Sequence, residues 1–311
     1  MEVGVGVLWR AYLRAPSEGF GGFDYRDRSV VVVGIPIDFT SSYRSGSRFA
    51  PSAIREVSQS IELCSVCGNC VVEEAGIDDL GDLVPVPGDV ERSLEIVEEM
   101  AMEIAREGKR IIAIGGDHTV TQALYSGVSK GVGEEPCILV IDAHLDLRNE
   151  LVGRYSHATC MRRLLERAQP PAIVWFGVRA FSSEELKEAR RIDVPHVVVK
   201  SIDVLRDPSD AIARASRGLE CCRKLYLSID VDGFDPAFAP GVQTPEPVGI
   251  HPIHFVELLQ SINVEVVAAD IVEVSPPYDR GGSTAALGAR LVVEIAAKIY
   301  EQMGEMKVRG W

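Results

Sequence analysis

Six residues able to bind a metal ion fall into three short clusters of the 311-residue chain: His118, then Asp142, His144 and Asp146, then Asp230 and Asp232. In extended backbone, residues i, i+2 and i+4 face the same side. The Asp-x-His-x-Asp spacing therefore turns three donors towards one point, and Asp230-x-Asp232 repeats the device elsewhere. Carboxylates packed this closely repel one another and take up protons unless a cation offsets them. Each cluster has a blander reading when taken alone: a turn or helix cap for Asp-x-Asp, a hydrogen-bonded core histidine for His118. Together, those readings leave six ligand-type residues with no shared partner. Four carboxylates and two imidazoles, with no thiolate, form a hard donor set that suits Mn2+ better than structural zinc. Two dications balance four carboxylates, and a binuclear centre acidifies the water it holds. Hydrolysis is the chemistry this predicts.

Elements must hold those clusters in place. Apolar runs predict strands at Val30–Ile35, Arg110–Ile114, Cys137–Ile141, Ile173–Gly177, His196–Val199, Lys224–Ile229 and Glu265–Val272. Their density in Val and Ile, without polar alternation, fits strands covered on both faces. Helical patterns intervene: residues 90–105 behind the cap residue Asp89, 51–61 starting at Pro51, and about 119–129, 183–191, 204–217, 252–262 and 282–302. Strands alternating with helices predict an α/β fold of three layers, α/β/α, with a mainly parallel central sheet. No linker or repeat divides the sequence, so residues 1–311 read as a single catalytic domain. Open sheets of this kind build their sites at the carboxyl ends of strands. Gly115-Gly116-Asp117-His118-Thr119, Asp142–Asp146, Ser228–Pro236 and Asp270–Pro277 all fall there.

A net charge of −14 with no basic run argues against nucleic acid as a partner, since phosphate binding needs a patch that displaces counterions. An acidic surface mildly favours approach of a small cation. No apolar run approaches the roughly 20 residues that cross a bilayer. Met1 to Arg14 lacks the layout of a signal peptide, so a cytoplasmic location is expected. Three Asn and six Gln against 25 Arg point to a thermophilic source. Seven cysteines in that setting argue against a complete disulfide framework. Cys64, Cys67 and Cys70 have a zinc-like or cluster-like spacing but lack a fourth ligand, which favours a local disulfide or plain buried thiols.

The motifs Gly115–His118, Asp142–Asp146, Ser156-His157-Ala158-Thr159, Ser228–Pro236 and Asp270–Pro276, preceded by Ser42–Phe49, resemble those of the ureohydrolase family of arginases and agmatinases. The form is most like that of agmatinases from thermophilic microbes. The resemblance implies that His118, Asp142, Asp146 and Asp230 bind one Mn2+ and that Asp142, His144, Asp230 and Asp232 bind a second. It further implies that Asp146 orients the nucleophile, that His157 shuttles a proton and that Glu273 pairs with the substrate guanidinium. Ala158 departs from the family's usual Gly. A homo-oligomer, trimer or hexamer, is implied as well.

Agmatine, hydrolysed to urea and putrescine, is the expected substrate. Gly177–Phe181 lacks the acidic residues of an arginase, and Thr244-Pro245-Glu246-Pro247 resembles the agmatinase form of its loop, with Val248 in place of the usual Gly. Glu246 and Glu150 are candidates for contacting a distal amine, whereas Arg148 or Arg179 would suit the carboxylate of guanidinobutyrate. Aminopropylagmatine, arginine and formimidoylglutamate stay open, because a hydrophobic tail pocket separates one methylene by only about 1–3 kcal/mol. Beyond this family, the substrate of a two-metal phosphatase would be repelled by Glu273. A non-catalytic metal-binding relative would usually have lost ligands, and here all six positions are filled.

Overall fold

The computed structural model describes residues 9–67 and 71–304. Among these, nine strands form one sheet: β1 (Leu13–Arg14), β2 (Val30–Ile35), β3 (Asp78–Leu83), β4 (Arg110–Gly115), β5 (Cys137–Ile141), β6 (Ile173–Val178), β7 (His196–Lys200), β8 (Lys224–Asp230) and β9 (Glu265–Val272). Their spatial order is β1-β3-β2-β4-β9-β8-β5-β6-β7. Every pairing is parallel except that of the short edge strand β1 with β3.

Helices cover both faces, as the alternation predicts. On one side lie α3 (Val90–Arg106), α4 (Val120–Val132), α5 (Cys160–Arg167) and α6 (Ser183–Ala189); on the other lie α1 (Ala50–Ser58), α2 (Val71–Ala75), α7 (Ser201–Arg206), α8 (Pro208–Gly218), α9 (Pro252–Ser261) and α10 (Ser283–Met303). Strand β5 shows why its sequence is apolar throughout. Cys137, Leu139 and Ile141 enter one core while Ile138 and Val140 enter the other. No described helix is long and apolar enough to cross a membrane.

Three departures from the sequence expectations have local causes. The helix expected over 204–217 is two helices, because Pro208 forces the residue before it out of helical geometry. Asp207 sits at φ −147° and its carboxylate caps α8 at the Asp210 N–H. Strand β3, Asp-Asp-Leu-Gly-Asp-Leu, has no apolar run to betray it. Two of its three carboxylates are held by the buried Arg55, whose Nε lies 2.7 Å from Asp79 Oδ2 and whose Nη1 lies 2.5 Å from Asp82 Oδ1. Helix α5 is short and rich in Arg, which hides its apolar stripe.

A disulfide joins Cys137, at the foot of β5, to Cys222, two residues before β8. It ties together the feet of the two strands whose heads carry five of the six ligand-type residues. Cys64 is also disulfide-bonded, and Cys70 lies outside the described residues. Cys67, Cys160 and Cys221 are free thiols, in keeping with an incomplete framework.

Candidate active site

The chain leaves β4 and re-enters the sheet at β5, with β9 and β8 later filling the space between them. Such a reversal opens a crevice at the carboxyl ends of the strands. Register brings the four strands level there: Ile114 pairs with Ile271, Ile271 with Ile229, and Ile229 with Ile141. Residues just past that row of isoleucines therefore emerge together, including Asp142 and Asp230.

All six ligand-type residues meet in this crevice, in two sets that share Asp142. His118 Nδ1 lies 2.8 Å from Asp146 Oδ2 and 3.3 Å from both Asp142 Oδ2 and Asp230 Oδ2. His144 Nδ1 lies 3.4 Å from Asp142 Oδ1 and 3.2 Å from Asp232 Oδ2. His118 Nδ1 and Asp142 Oδ2 are buried, yet neither makes a hydrogen bond. Buried polar atoms left this way call for an explanation, and an ion between the donors supplies one. Electrostatics agree. Burial, then the charges of Asp232 and Asp142, push the Asp230 carboxyl well above its ordinary range. Burial and Asp142 likewise push Asp146 up to about 6. The donor set fits one or two dications.

A second layer aims the imidazoles. Ser228 Oγ meets His118 Nε2 at 3.0 Å and donates to Asp270 Oδ1 at 2.7 Å, while the Tyr226 hydroxyl donates to Asp270 Oδ2 at 2.5 Å. Holding Nε2 in this way presents Nδ1 to the cluster. Thr244 Oγ1 donates to Asp232 Oδ2 at 3.0 Å, and Glu246 Oε1 stands 3.8 Å from His144 Nε2. Ser228, Tyr226 and Asp270 carry no role in the sequence reading. A signal was there: in β8, Tyr226 and Ser228 share the strand face of Asp230, so polar atoms recur at every second position.

Glu273 and His157 adjoin the cluster. Glu273 is 1% exposed, and its Oε1 accepts the His118 backbone N–H at 2.7 Å while Oε2 has no partner. Burial, then the charges of Asp230 and Asp117, raise its carboxyl well above the ordinary value. Both Glu273 (φ 69°) and Asp146 (φ 52°) adopt left-handed backbone, which costs a non-glycine residue about 1–3 kcal/mol and clusters at functional sites. Gly116 permits the arrangement, since a Cβ there would lie 1.8 Å from the Ile37 carbonyl oxygen. His157 Nδ1 is 3.8 Å from Glu273 Oε1, and its Nε2 is 2.8 Å from Ser42 Oγ. The ring is buried rather than in solvent. That burial, followed by the charge on His144, lowers its pKa to about 4, so the imidazole is neutral at pH 7.

At the mouth, Arg179 is fully engaged. It donates to the carbonyls of Gly177, Asp232, Gly233, Phe234, Glu246 and Pro247 at 2.6–3.2 Å, which ties the Asp232 turn to the Glu246 loop. Arg148 stands 3.7 Å from Glu185. Glu246 keeps 40% of its side chain exposed, and Glu150 is exposed. Val248 follows at φ 67°, a left-handed conformation that β-branched residues resist. It is 53% exposed and packs little. Val248→Gly is expected to stabilise the protein by about 1 kcal/mol, read as a higher denaturant midpoint; a lower midpoint would contradict the strain.

The Arginase family model matches residues 28–297. An agmatinase of Bacillus anthracis is 34% identical over 276 residues, 87% of this chain and 92% of that protein. The N(1)-aminopropylagmatine ureohydrolase of Thermus thermophilus is 35% identical over 255 residues, 81% and 84% of the two chains. The crystal structure of the agmatine ureohydrolase of Thermoplasma volcanium aligns with a TM-score of 0.77 at 32% identity, covering 93% of this chain and 94% of the other. The chain belongs to the arginase family, and it is a hydrolase.

Proposed function

We propose that the protein hydrolyses the guanidinium group of a substrate with a cationic tail, agmatine first among them, and that its whole length forms one catalytic domain. The observation that carries this reading is Glu273: a buried carboxylate with Oε2 unpartnered, beside the cluster. A guanidinium is a planar cation that offers such a carboxylate a charge-assisted, bidentate partner. For the tail, support comes from the mouth, where Arg179 is spent on carbonyls and Glu246 is half-exposed. A substrate carboxylate would find little there to pair with; an ammonium would find Glu246.

Two Mn2+ ions would be held by His118, Asp142, Asp146 and Asp230 and by Asp142, His144, Asp230 and Asp232. Bound dications supply water acidified to hydroxide at neutral pH. Glu273 holds the guanidinium and fixes which face of its carbon meets the cluster. Water oxygen joins that carbon, the C–N bond to the tail breaks, and the amine leaves with a proton as urea is released. Asp146 and His157 are the proton carriers within reach. Because His157 is neutral and held at Nε2 by Ser42, Nδ1 is free to take up and pass on a proton beside Glu273.

His157→Ala should keep its metal and lose about 10²–10⁴-fold in kcat, the usual worth of a positioned acid–base group. Turnover beside metal analysis checks it, and undiminished kcat would remove the role. For the substrate, urea release from agmatine, aminopropylagmatine, arginine and guanidinobutyrate is compared in Mn2+-loaded protein. Agmatine should give the highest kcat/KM. A preference for aminopropylagmatine would keep the cationic tail and lengthen it; turnover of arginine or guanidinobutyrate alone would overturn the assignment.

A further inference from the structure

We infer that Cys160 is an additional sulfur donor to the His118 half of the cluster, so that this half accepts a thiophilic dication such as Zn2+, Co2+ or Cd2+ as well as Mn2+. The inference rests on the two-metal reading above and adds a difference between its two positions. Cys160 opens α5, directly after the His157–Thr159 turn, and is 1% exposed. Its Sγ lies 3.4 Å from Asp146 Oδ2. The donor atoms of His118, Asp146 and Cys160 all lie within 4.8 Å of one another. A second observation points into the same space: His118 Nδ1 is fully buried and makes no hydrogen bond.

The other half has no equivalent. Asp142, His144 and Asp232 bring only nitrogen and oxygen donors together. A nitrogen, oxygen and sulfur set is softer than a nitrogen and oxygen set, and softness is one of the ways a site selects among divalent metals. Without a metal, the Cys160 thiol is a weak donor to the Asp146 carboxylate, a role that Ser at this position would also fill. The hard-donor balance of the six sequence motifs is thus incomplete, because the seventh donor comes from the helix after the His157 turn. Cys160 is the buried free thiol among the described residues, whereas Cys67 and Cys221 are exposed. Sulfur bonding to a metal can therefore be assigned by removing the exposed thiols first.

The test uses the full chain carrying Cys67→Ser and Cys221→Ser, stripped of metal and titrated with Co2+ without oxygen. Bound cobalt is counted, and the near-ultraviolet thiolate-to-cobalt charge-transfer band is recorded. The band should grow in with the His118 position and vanish in both Cys160→Ser and Cys160→Ala, with the cobalt count unchanged. In competition with Mn2+, the Cys160 variants should lose roughly 10–100-fold in Cd2+ affinity, the scale on which a partner at a metal site counts, while Mn2+ affinity holds. Two variants guard against a folding failure in one. Cobalt bound without the band, or a band that survives both variants, overturns the role of Cys160 alone. No cobalt bound to any form overturns the two-metal reading itself.

Discussion

Asp230→Asn should abolish turnover and, in the same protein, raise the melting temperature measured in chelator. Both effects have one cause. Asp230 belongs to the His118 half of the cluster, with Oδ2 3.3 Å from His118 Nδ1, and burial together with Asp232 and Asp142 makes its charge costly. A raised folded pKa means that the folded state binds more protons than the unfolded state. Stability is therefore lost as pH rises from the ordinary carboxylate range towards the raised value. Asn removes that loss, so the melting temperature in chelator rises. With Mn2+ present the sign reverses, because the ion offsets the charge and Asn is a poorer ligand. Losing metal support for the nucleophile removes several kcal/mol of transition-state stabilisation, roughly 10³-fold or more in rate. Melting curves with and without Mn2+, alongside urea release, test the pair. A variant that melts lower in chelator, or that retains turnover, would contradict this account of the cluster.

Glu273→Gln should leave metal content intact and lower kcat/KM by about 10²–10³-fold. Truncating one partner of a fully desolvated charge pair costs about 2–5 kcal/mol, and Glu273 is 1% exposed with one oxygen unpartnered. Gln preserves the shape and can still accept the His118 backbone N–H, so the loss isolates the charge. The effect should scale with the cation: a neutral urea-like analogue of the substrate should bind the Gln variant and the parent equally well. If Glu273→Gln instead lost its metal, the residue would belong to the support of the cluster rather than to the substrate.

Much of this site can be read along the chain, for a definite reason. The alternation of side chains along a strand is backbone geometry, so Asp142-x-His144-x-Asp146 and Asp230-x-Asp232 declare a shared direction without any tertiary information. The apolar strands announce themselves in the same way, since burial on both faces leaves no polar positions. Strand β3 escapes that logic because its Asp79 and Asp82 carboxylates are neutralised by Arg55 from α1, a partner 24 and 27 residues away. The split of α7 from α8 was available in Pro208 but was masked by a continuous apolar stripe.

What the residues could not declare is who meets whom across the sheet. Placing β9 and β8 between β4 and β5 is settled by long-range packing, to which local periodicity is blind. Only that order lets Asp142 face His118 with one oxygen and His144 with the other. It also decides that Arg179, a plausible anion binder by type, is consumed by backbone carbonyls, and that Glu273 keeps an oxygen in reserve. Cys160 belongs with these: nothing in its neighbours along the chain marks it, and only the docking of α5, which packs on α4 and donates the Arg162 N–H to the Asp146 carbonyl, brings its sulfur to Asp146. Ligand type and spacing are local properties, legible one strand at a time. The sharing of ligands, the free carboxylate and the extra sulfur exist only once four strands and a helix have been brought together.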